Sequence, residues 1–274
     1  MDQVATFYSG QGNLVGAVGS ALDAAGIDRA ALRAADLAPL DEFHIRGRAA
    51  TLEIIEALDL TAESHVLDLG SGLGGPARTI AELTGCRVTG VDLTPEFCEV
   101  AAALSTWTGL ADRTTFQVGD ATDTALPAES VDAALTVHVG MNIPDKAALY
   151  AEASRVLRPG GRFVVYDVLQ GEGGDVLYPV PWAMDDSTSF LATPADMRAL
   201  LVGAGLDIVA EADSSDESFV WFQQMRARIE RDGPPRITFA AFLGDSFGQM
   251  AANQVKNLAE QRIRTVMFVC ARPR

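Results

Sequence analysis

A glycine-rich turn directly after a short apolar run is the feature that most constrains this chain. Residues 66–69 read Val-Leu-Asp-Leu, and four of the next six residues, 70–75, are glycine. Because glycine has no Cβ, such a backbone can turn sharply from a strand into a helix and can approach a ligand closely. The segment therefore predicts a β-strand, a ligand-binding turn and a helix that begins near Pro76.

Short β-branched runs alternate with helical stretches through the middle of the chain. The predicted strands are residues 66–69, 87–92, 114–118, 131–137 and 162–168, and the predicted helices between them are residues 76–83, 95–108 and 145–157. This alternation is typical of an α/β fold with a doubly wound, parallel sheet. A last apolar run, Thr265–Ala271, predicts an edge strand of the same sheet.

Two regions interrupt this regular pattern. Residues 1–60 predict a helical N-terminal lid, with an amphipathic helix over Arg48–Leu58, and residues 61–274 predict the sheet domain. Residues 171–193 are rich in glycine, proline and aromatic residues without a period, which predicts a lid inserted into that domain. Further helices are predicted at about 215–262.

The charge of the chain is strongly acidic. Its 37 Asp and Glu residues outnumber 21 Lys and Arg residues, giving a net charge of −16. Such a surface repels phosphate backbones and anionic headgroups, so we expect neither nucleic acid nor a membrane as a partner. The chain starts without a signal-peptide pattern and has no apolar run of spanning length. With three scattered cysteines as well, it is predicted to be cytoplasmic.

Three aspartates stand at the ends of successive predicted strands. Asp68 lies two residues before the first glycine, where a carboxylate would repel a pyrophosphate but suits an ammonium group. Asp92 ends the second strand, 22 residues after Gly70, at the position that binds the ribose hydroxyls of an adenosine. Asp120 follows the third strand and can accept a hydrogen bond from an adenine amine. The three acids favour an adenosyl ligand with an ammonium group over a dinucleotide.

These motifs resemble those of the class I S-adenosylmethionine-dependent methyltransferases over residues 62–170. The resemblance implies a Rossmann-like methyltransferase fold with a seven-stranded, mostly parallel sheet, S-adenosylmethionine as cofactor and S-adenosylhomocysteine as product. The residues that it implies for cofactor binding are Asp68, Gly70, Ser71, Gly72, Gly74, Asp92, Leu93, Asp120, Ala121 and His138.

A narrower resemblance links the chain to the sarcosine and dimethylglycine N-methyltransferases and their phosphoethanolamine and tocopherol relatives. It is carried by residues 41–48, 72–78, 138–143 and 179–183, although Arg46 stands where a small residue is expected. It implies N-methylation of a small amine. An O- or C-methyltransferase of an aromatic or polyketide-like product is the alternative. An NAD(P)-dependent oxidoreductase and a non-catalytic cofactor-binding protein are more distant ones.

Catalytic and substrate-binding residues are predicted around the end of the fourth strand and the lid. His138 is the predicted base or orienting group, because an acceptor that arrives protonated must lose a proton during transfer. Aromatic residues of the lid could hold a cationic amine by cation–π contact. The predicted substrate-binding residues are Tyr8, His44, Met141, Asn142, Tyr178 and Trp182. No metal is expected, and the predicted partner is a small-molecule methyl acceptor, bound by a monomer or homodimer.

Overall fold

The apolar runs pair into one seven-stranded sheet in the computed structural model, which describes residues 13–238 and 246–274. The strands are β1 (His65–Leu69), β2 (Arg87–Asp92), β3 (Thr114–Val118), β4 (Val131–Val137), β5 (Leu157–Gln170), β6 (Asp207–Asp213) and β7 (Ile263–Ala271). Their order across the sheet is β3-β2-β1-β4-β5-β7-β6. The first five strands are parallel, and β7 runs antiparallel to both neighbours. The predicted doubly wound, mostly parallel sheet is confirmed.

Helices cover both faces of the sheet and form the N-terminal element. They are α1 (Leu14–Ala24), α2 (Ala34–Asp41), α3 (Arg48–Leu58), α4 (Gly75–Thr84), α5 (Pro95–Trp107), α6 (Lys146–Val156), α7 (Pro194–Gly203), α8 (Ser215–Asp232) and α9 (Phe247–Ala259). The predicted amphipathic helix coincides with α3. Residues 171–193 contain only one short 3-10 turn, Asp186–Thr188, within this inserted segment.

The position of the last strand differs from the prediction. β7 lies between β5 and β6, where Phe268 pairs with Val165 on one side and Glu211 on the other. The edge is formed instead by β6, which the sequence analysis missed because its short acidic segment is exposed along most of its length. A nearly continuous buried apolar run such as β7 is typical of an internal strand rather than an edge.

The N-terminal element packs directly against the glycine turn. A Cβ at Gly75 would lie 2.2 Å from the carbonyl oxygen of Asp41, so only glycine allows this approach of α2 to α4. The apolar side chains of α1 bury themselves against α5, with Val18 and Leu22 in one cluster with Leu104. The glycine turn and the segment after α2 therefore lie side by side at the carboxyl ends of the strands.

Candidate active site

A cavity opens at the carboxyl ends of β1, β2 and β4, between the glycine turn and the segment that follows α2. Most of the residues predicted to bind cofactor or substrate line it: Asp68, Gly70, Ser71, Gly72, Asp92, Leu93, Asp120, Ala121, His138, His44 and Asn142. Gly74 is not among the lining residues, and it is the N-cap of α4. Tyr8 falls outside the described residues. The strand ends thus bring together side chains that are far apart in sequence.

Asp68 presents a buried carboxylate to this cavity. The residue is 1% exposed, and its Oδ2 is buried without a hydrogen-bond partner among the described residues. Burial, with Asp92 and Glu42 nearby, raises the pKa of Asp68 to about 8. Burying a carboxylate without a hydrogen-bond partner costs free energy unless a ligand pairs with it. An ammonium group would supply both the opposite charge and the hydrogen-bond donors.

Asp92 fixes the glycine turn while keeping acceptor capacity. Its Oδ2 accepts the Gly72 N–H at 2.8 Å and its Oδ1 accepts the Thr94 N–H at 2.9 Å. Gly72 has a φ of +53°, and no atom lies within 4 Å of the place where its Cβ would be. The turn therefore leaves open space beside a carboxylate whose remaining lone pairs can accept hydroxyl groups, as adenosine ribose binding requires.

Asp120 closes the cavity beyond β3. Its Oδ1 accepts hydrogen bonds from the Thr122 N–H at 2.9 Å and the Thr122 hydroxyl at 2.8 Å. This local turn holds the segment at the cavity wall together with Ala121. One oxygen of Asp120 is thereby committed to the turn, and the other is available to a ligand donor such as an exocyclic amine.

Two histidines and a tyrosine form a ring cluster at the cavity wall. The ring centroid of His138 lies 5.1 Å from that of Tyr166 and 6.0 Å from that of His44. Burial lowers the pKa of His44 to about 4 and that of His138 well below its usual value. His138 also has a φ of +54°, which is rare for a residue with a side chain and costs free energy. Both imidazoles are neutral near pH 7 and present hydrogen-bond acceptors.

The inserted segment is anchored behind the cavity. Trp182 is 2% exposed, packs in an apolar cluster with Met141 and Phe222, and donates its indole N–H to Ser189 Oγ at 3.0 Å. Tyr178 packs against the same cluster. The structure thus places Met141, Tyr178 and Trp182 outside the residues that line the cavity. Their predicted contacts with substrate stay predictions.

Asn142 joins this segment to the end of β4. Its Nδ2 donates to the carbonyl oxygens of Trp182 at 2.9 Å and Thr188 at 2.8 Å. Because both partners are acceptors, the amide orientation is fixed, and its Oδ1 faces away from them. Asn142 therefore anchors the inserted segment and supplies an acceptor beside the cavity.

Sequence reasoning missed a buried polar network behind His44. Glu42 accepts hydrogen bonds from the Thr51 hydroxyl and, at 2.7 Å, from the Thr79 hydroxyl. Arg78 is fully buried and pairs with Asp41, with 2.6 Å between its Nη2 and Oδ2 of Asp41. Asp41 and Glu42 belong to the motif at residues 41–48, which does not reveal their partners, and Thr51 carries no sequence signal because its partners come from another segment.

Neither a metal cluster nor a membrane span is found within the described ranges. Among residues 13–238 and 246–274, no group of three or more His, Cys, Asp or Glu side chains is arranged to hold a metal ion. In the same ranges, the helices are too short or too polar to cross a bilayer.

The family described as "Methyltransferase domain" matches residues 67–165 of the chain. The chain is 32% identical over 190 residues to the methyltransferase GfsG of Streptomyces halstedii, which covers 67% of each protein. It is 30% identical over 163 residues to the sterol 24-C-methyltransferase of Eremothecium gossypii, covering 57% of this chain and 44% of that one. The chain therefore spans two thirds of the first relative and less than half of the second.

The fold is also similar to solved methyltransferase structures. The phosphoethanolamine N-methyltransferase 2 of Haemonchus contortus, solved with phosphomonomethylethanolamine and S-adenosylhomocysteine, superposes with a TM-score of 0.73 at 21% identity. The superposition covers 85% of this chain and 55% of that one. At this identity the similarity shows a common fold.

Proposed function

The chain belongs to the S-adenosylmethionine-dependent methyltransferase family, and from that membership we propose that it methylates a hydroxyl oxygen of a small, largely apolar metabolite. The observation that carries the proposal is the pair of neutral imidazoles, His44 and His138, on the wall of an otherwise mostly apolar cavity. A hydroxyl group is a poor nucleophile until it loses its proton, and a neutral imidazole can accept that proton as the new bond forms.

S-adenosylmethionine supplies an activated methyl group on a sulfonium when it is bound. The chain then has to bind the cofactor, align the acceptor oxygen and exclude water. Asp68 fits the methionine ammonium, Asp92 the ribose hydroxyls, and Asp120 with Ala121 the adenine. The fit rests on the unpartnered Oδ2 of Asp68 and the open space beside Gly72.

The cavity's polar groups favour a neutral acceptor. The acids at Asp68, Asp92 and Asp120 are assigned to the cofactor, and Asp41 is paired with Arg78. Apolar side chains such as Phe43, Ile143 and Pro144 line much of the rest. A cationic amine would need an unassigned carboxylate or an aromatic face.

N-methylation of a small amine is the second candidate, supported by the motif resemblance. Its predicted cation cage depends on aromatic residues, and Tyr178 and Trp182 lie outside the cavity lining. The known relatives leave the acceptor atom open, since one is named for transfer to a sterol carbon and one solved structure for transfer to nitrogen.

The test is a turnover assay with matched acceptors. S-adenosylhomocysteine release would be measured with 2-naphthol, a hydroxylated polyketide, their O-methylated forms, sarcosine and phosphoethanolamine. We expect turnover with the free hydroxyl compounds and none with their methyl ethers. Turnover with sarcosine or phosphoethanolamine alone would contradict the proposal and support the N-methyltransferase, and turnover with the ethers would point to carbon.

Substitution of Asp92 tests the cofactor placement. Asp92→Ala removes the acceptor for the ribose hydroxyls and the hydrogen bond that the Gly72 N–H donates to this carboxylate. We therefore expect the affinity for S-adenosylmethionine to fall at least about tenfold. Calorimetric titration would measure the dissociation constant, with Asp207→Ala on the exposed edge strand as matched control. Equal affinity of Asp92→Ala and the parent protein would refute the placement.

A further inference from the structure

The imidazole of His44 is held by a turn of its own segment. Its Nε2 lies 2.9 Å from the Gly47 carbonyl oxygen, and the Gly47 N–H donates back to the His44 carbonyl at 2.9 Å. A carbonyl oxygen can only accept, so Nε2 must carry the hydrogen. In a neutral imidazole this leaves Nδ1 with the free lone pair.

Thr51 and Glu42 enforce the same tautomer from the other side. The Thr51 hydroxyl gives its one hydrogen to Glu42 Oε2, so toward His44 it can present only lone pairs. Thr51 Oγ1 lies 3.3 Å from His44 Nε2, and Glu42 Oε2 lies 3.8 Å from it. Two acceptors and one carboxylate thus surround Nε2–H.

The opposite nitrogen of His44 has no partner among the described residues. His44 lines the cavity, and no described residue forms a hydrogen bond with its Nδ1. Because Nε2 is committed to the Gly47 carbonyl and the residue is 8% exposed, Nδ1 is the nitrogen left for a ligand in the cavity. A ligand hydroxyl is the kind of group that can complete it.

His138 lacks any such orientation. Its Nε2 is buried without a partner, and within residues 13–238 and 246–274 its side chain forms no hydrogen bond. Its ring is held by packing against Tyr166, at 5.1 Å between centroids. A general base is usually oriented by a third group through its second nitrogen, and this condition is met by His44 and not by His138.

We propose that His44 Nδ1 is the proton acceptor for the substrate hydroxyl, and that Thr51 and Glu42 are positioning residues that fix its tautomer. This proposal rests on the proposed O-methyltransferase function. His44 takes the hydroxyl proton as the oxygen forms its bond to the methyl carbon and the carbon–sulfur bond breaks. Sulfur keeps the electron pair of that bond, and the positive charge passes to the imidazole, which later releases the proton to solvent.

Charged groups of both signs surround His44. The titratable and charged groups that face it are Asp41, Glu42, Arg46, His138 and Tyr166. Burial and Arg46 disfavour the protonated ring, whereas the Gly47 hydrogen bond and Asp41 favour it. His44 is therefore neutral before transfer, and Asp41 is the charged neighbour that favours the transient imidazolium.

The tautomer can be measured in the free protein by nitrogen-15 NMR of the imidazoles. The chain has three histidines, so His65→Gln and His138→Gln spectra would assign every ring. We expect His44 to be the Nε2–H tautomer, held by the Gly47 carbonyl, and Thr51→Val to change the His44 nitrogen shifts because it removes a second acceptor beside Nε2, while Thr51→Ser restores them. A parent protein with Nδ1–H at His44, or a Thr51→Val spectrum that is unchanged, would overturn the proposal without any assay of turnover.

Kinetics with a hydroxyl acceptor found in the turnover assay would provide a second, independent test. His44→Gln keeps a donor for the Gly47 carbonyl but has no basic lone pair, so kcat should fall about 100-fold or more. Its dissociation constant for S-adenosylmethionine should change less than about threefold. His65→Gln, at the opposite end of β1, is the matched control and should retain the parent rate.

The two histidines of the cavity are expected to differ in how much kcat depends on them. His138→Gln should lower kcat by less than His44→Gln does, and a larger loss for His138→Gln would return the role of base to His138. Nitrogen methylation in the acceptor assay would refute the proposed O-methyltransferase function. The NMR result would still report the tautomer of His44. Hydroxyl methylation by a His44→Gln enzyme with the parent rate would refute the role of His44 as proton acceptor and leave the O-methyltransferase function standing.

Discussion

Asp68→Asn is expected to weaken S-adenosylmethionine binding about 100-fold and to stabilise the free protein at the same time. The carboxylate is buried with one oxygen unpartnered, so the ammonium group proposed to bind there would pair with it in a site shielded from water. A charge-assisted hydrogen bond in such surroundings contributes about 1.5–3 kcal/mol, which corresponds to roughly 10- to 150-fold in affinity. The neutral amide loses this interaction.

The stabilisation follows from the direction of the pKa shift. Because the folded-state pKa of Asp68, about 8, lies above its ordinary value of 3.8, folding favours the protonated carboxyl. Ionisation of Asp68 does not change the folding stability of the parent protein below about pH 4. It lowers that stability as the pH rises from there through 8. Asp68→Asn avoids this loss, so its melting temperature should exceed the parent's by about 3 °C or more at pH 8 and by less at pH 5.

Titration calorimetry at pH 6, 7 and 8 would test the binding part of this prediction, and scanning calorimetry at pH 5 and 8 would test the stability part. The parent protein should bind S-adenosylmethionine more tightly as the pH approaches 8, with release of a proton, since the ammonium favours ionised Asp68. The Asp68→Asn variant should lack this dependence, and Asp207→Asn on the exposed edge should behave as the parent. Parent-like affinity together with parent-like melting would show that Asp68 is not the ammonium site.

Arg78→Met is expected to lower the free energy of unfolding by about 3–5 kcal/mol. Arg78 is fully buried, pairs with Asp41 at 2.6 Å and donates to the carbonyl oxygens of Ala101, at 2.9 Å, and Leu73. Its loss leaves a carboxylate buried without a partner. Burial already raises the pKa of Asp41 to about 6 against the opposing effect of Arg78.

Denaturant titration of matched variants would separate the effect of breaking the buried ion pair from the effect of removing a positive charge. Arg226→Met removes an exposed pair with Glu230 on α8, at 2.8 Å, and should cost less than about 1 kcal/mol. The double variant Asp41→Asn with Arg78→Met should recover part of the loss, because no unpaired carboxylate remains. Equal costs for Arg78→Met and Arg226→Met would mean that the buried pair does not hold α2 against the glycine turn.

The pair also connects stability to the site. Asp41 belongs to the segment that carries Glu42 and His44, and Arg78 belongs to the helix that begins at the glycine turn. The Asp41–Arg78 pair therefore fixes the N-terminal element beside the turn that holds Asp92. Partial release of that element in Arg78→Met should raise the dissociation constant for S-adenosylmethionine as well.

Much of the fold and of the cofactor site could be predicted from local sequence. The strand-turn-helix unit around residues 66–75 and the acids Asp68, Asp92 and Asp120 each depend on a short segment whose place at a strand end is set by its own pattern. Parallel strands bring their carboxyl ends to one edge, so three such segments converge without further information. The amphipathic α3 was predictable because its apolar positions repeat with the helical period.

The path of the inserted segment could not be predicted in the same way. Its aromatic residues suggested a substrate cage, but Trp182 is buried against Phe222 of α8 and donates to Ser189. Tertiary packing decides which apolar side chain of a loop faces a cavity and which faces the core. The place of β7 was likewise decided by β6, an exposed strand with little pattern of its own.

The sequence by itself determined the five parallel strands, the glycine turn and the residues that meet at the carboxyl ends of those strands, because these depend on local backbone conformation and on the alternation of strands and helices. Tertiary structure alone decided which nitrogen of His44 carries hydrogen. That choice depends on the Gly47 carbonyl and on Thr51 and Glu42, which a turn and a separate helix bring within a few ångströms of one ring. Hydrogen-bond complementarity among such neighbours is a property of positions in space, and no periodicity in the chain encodes it.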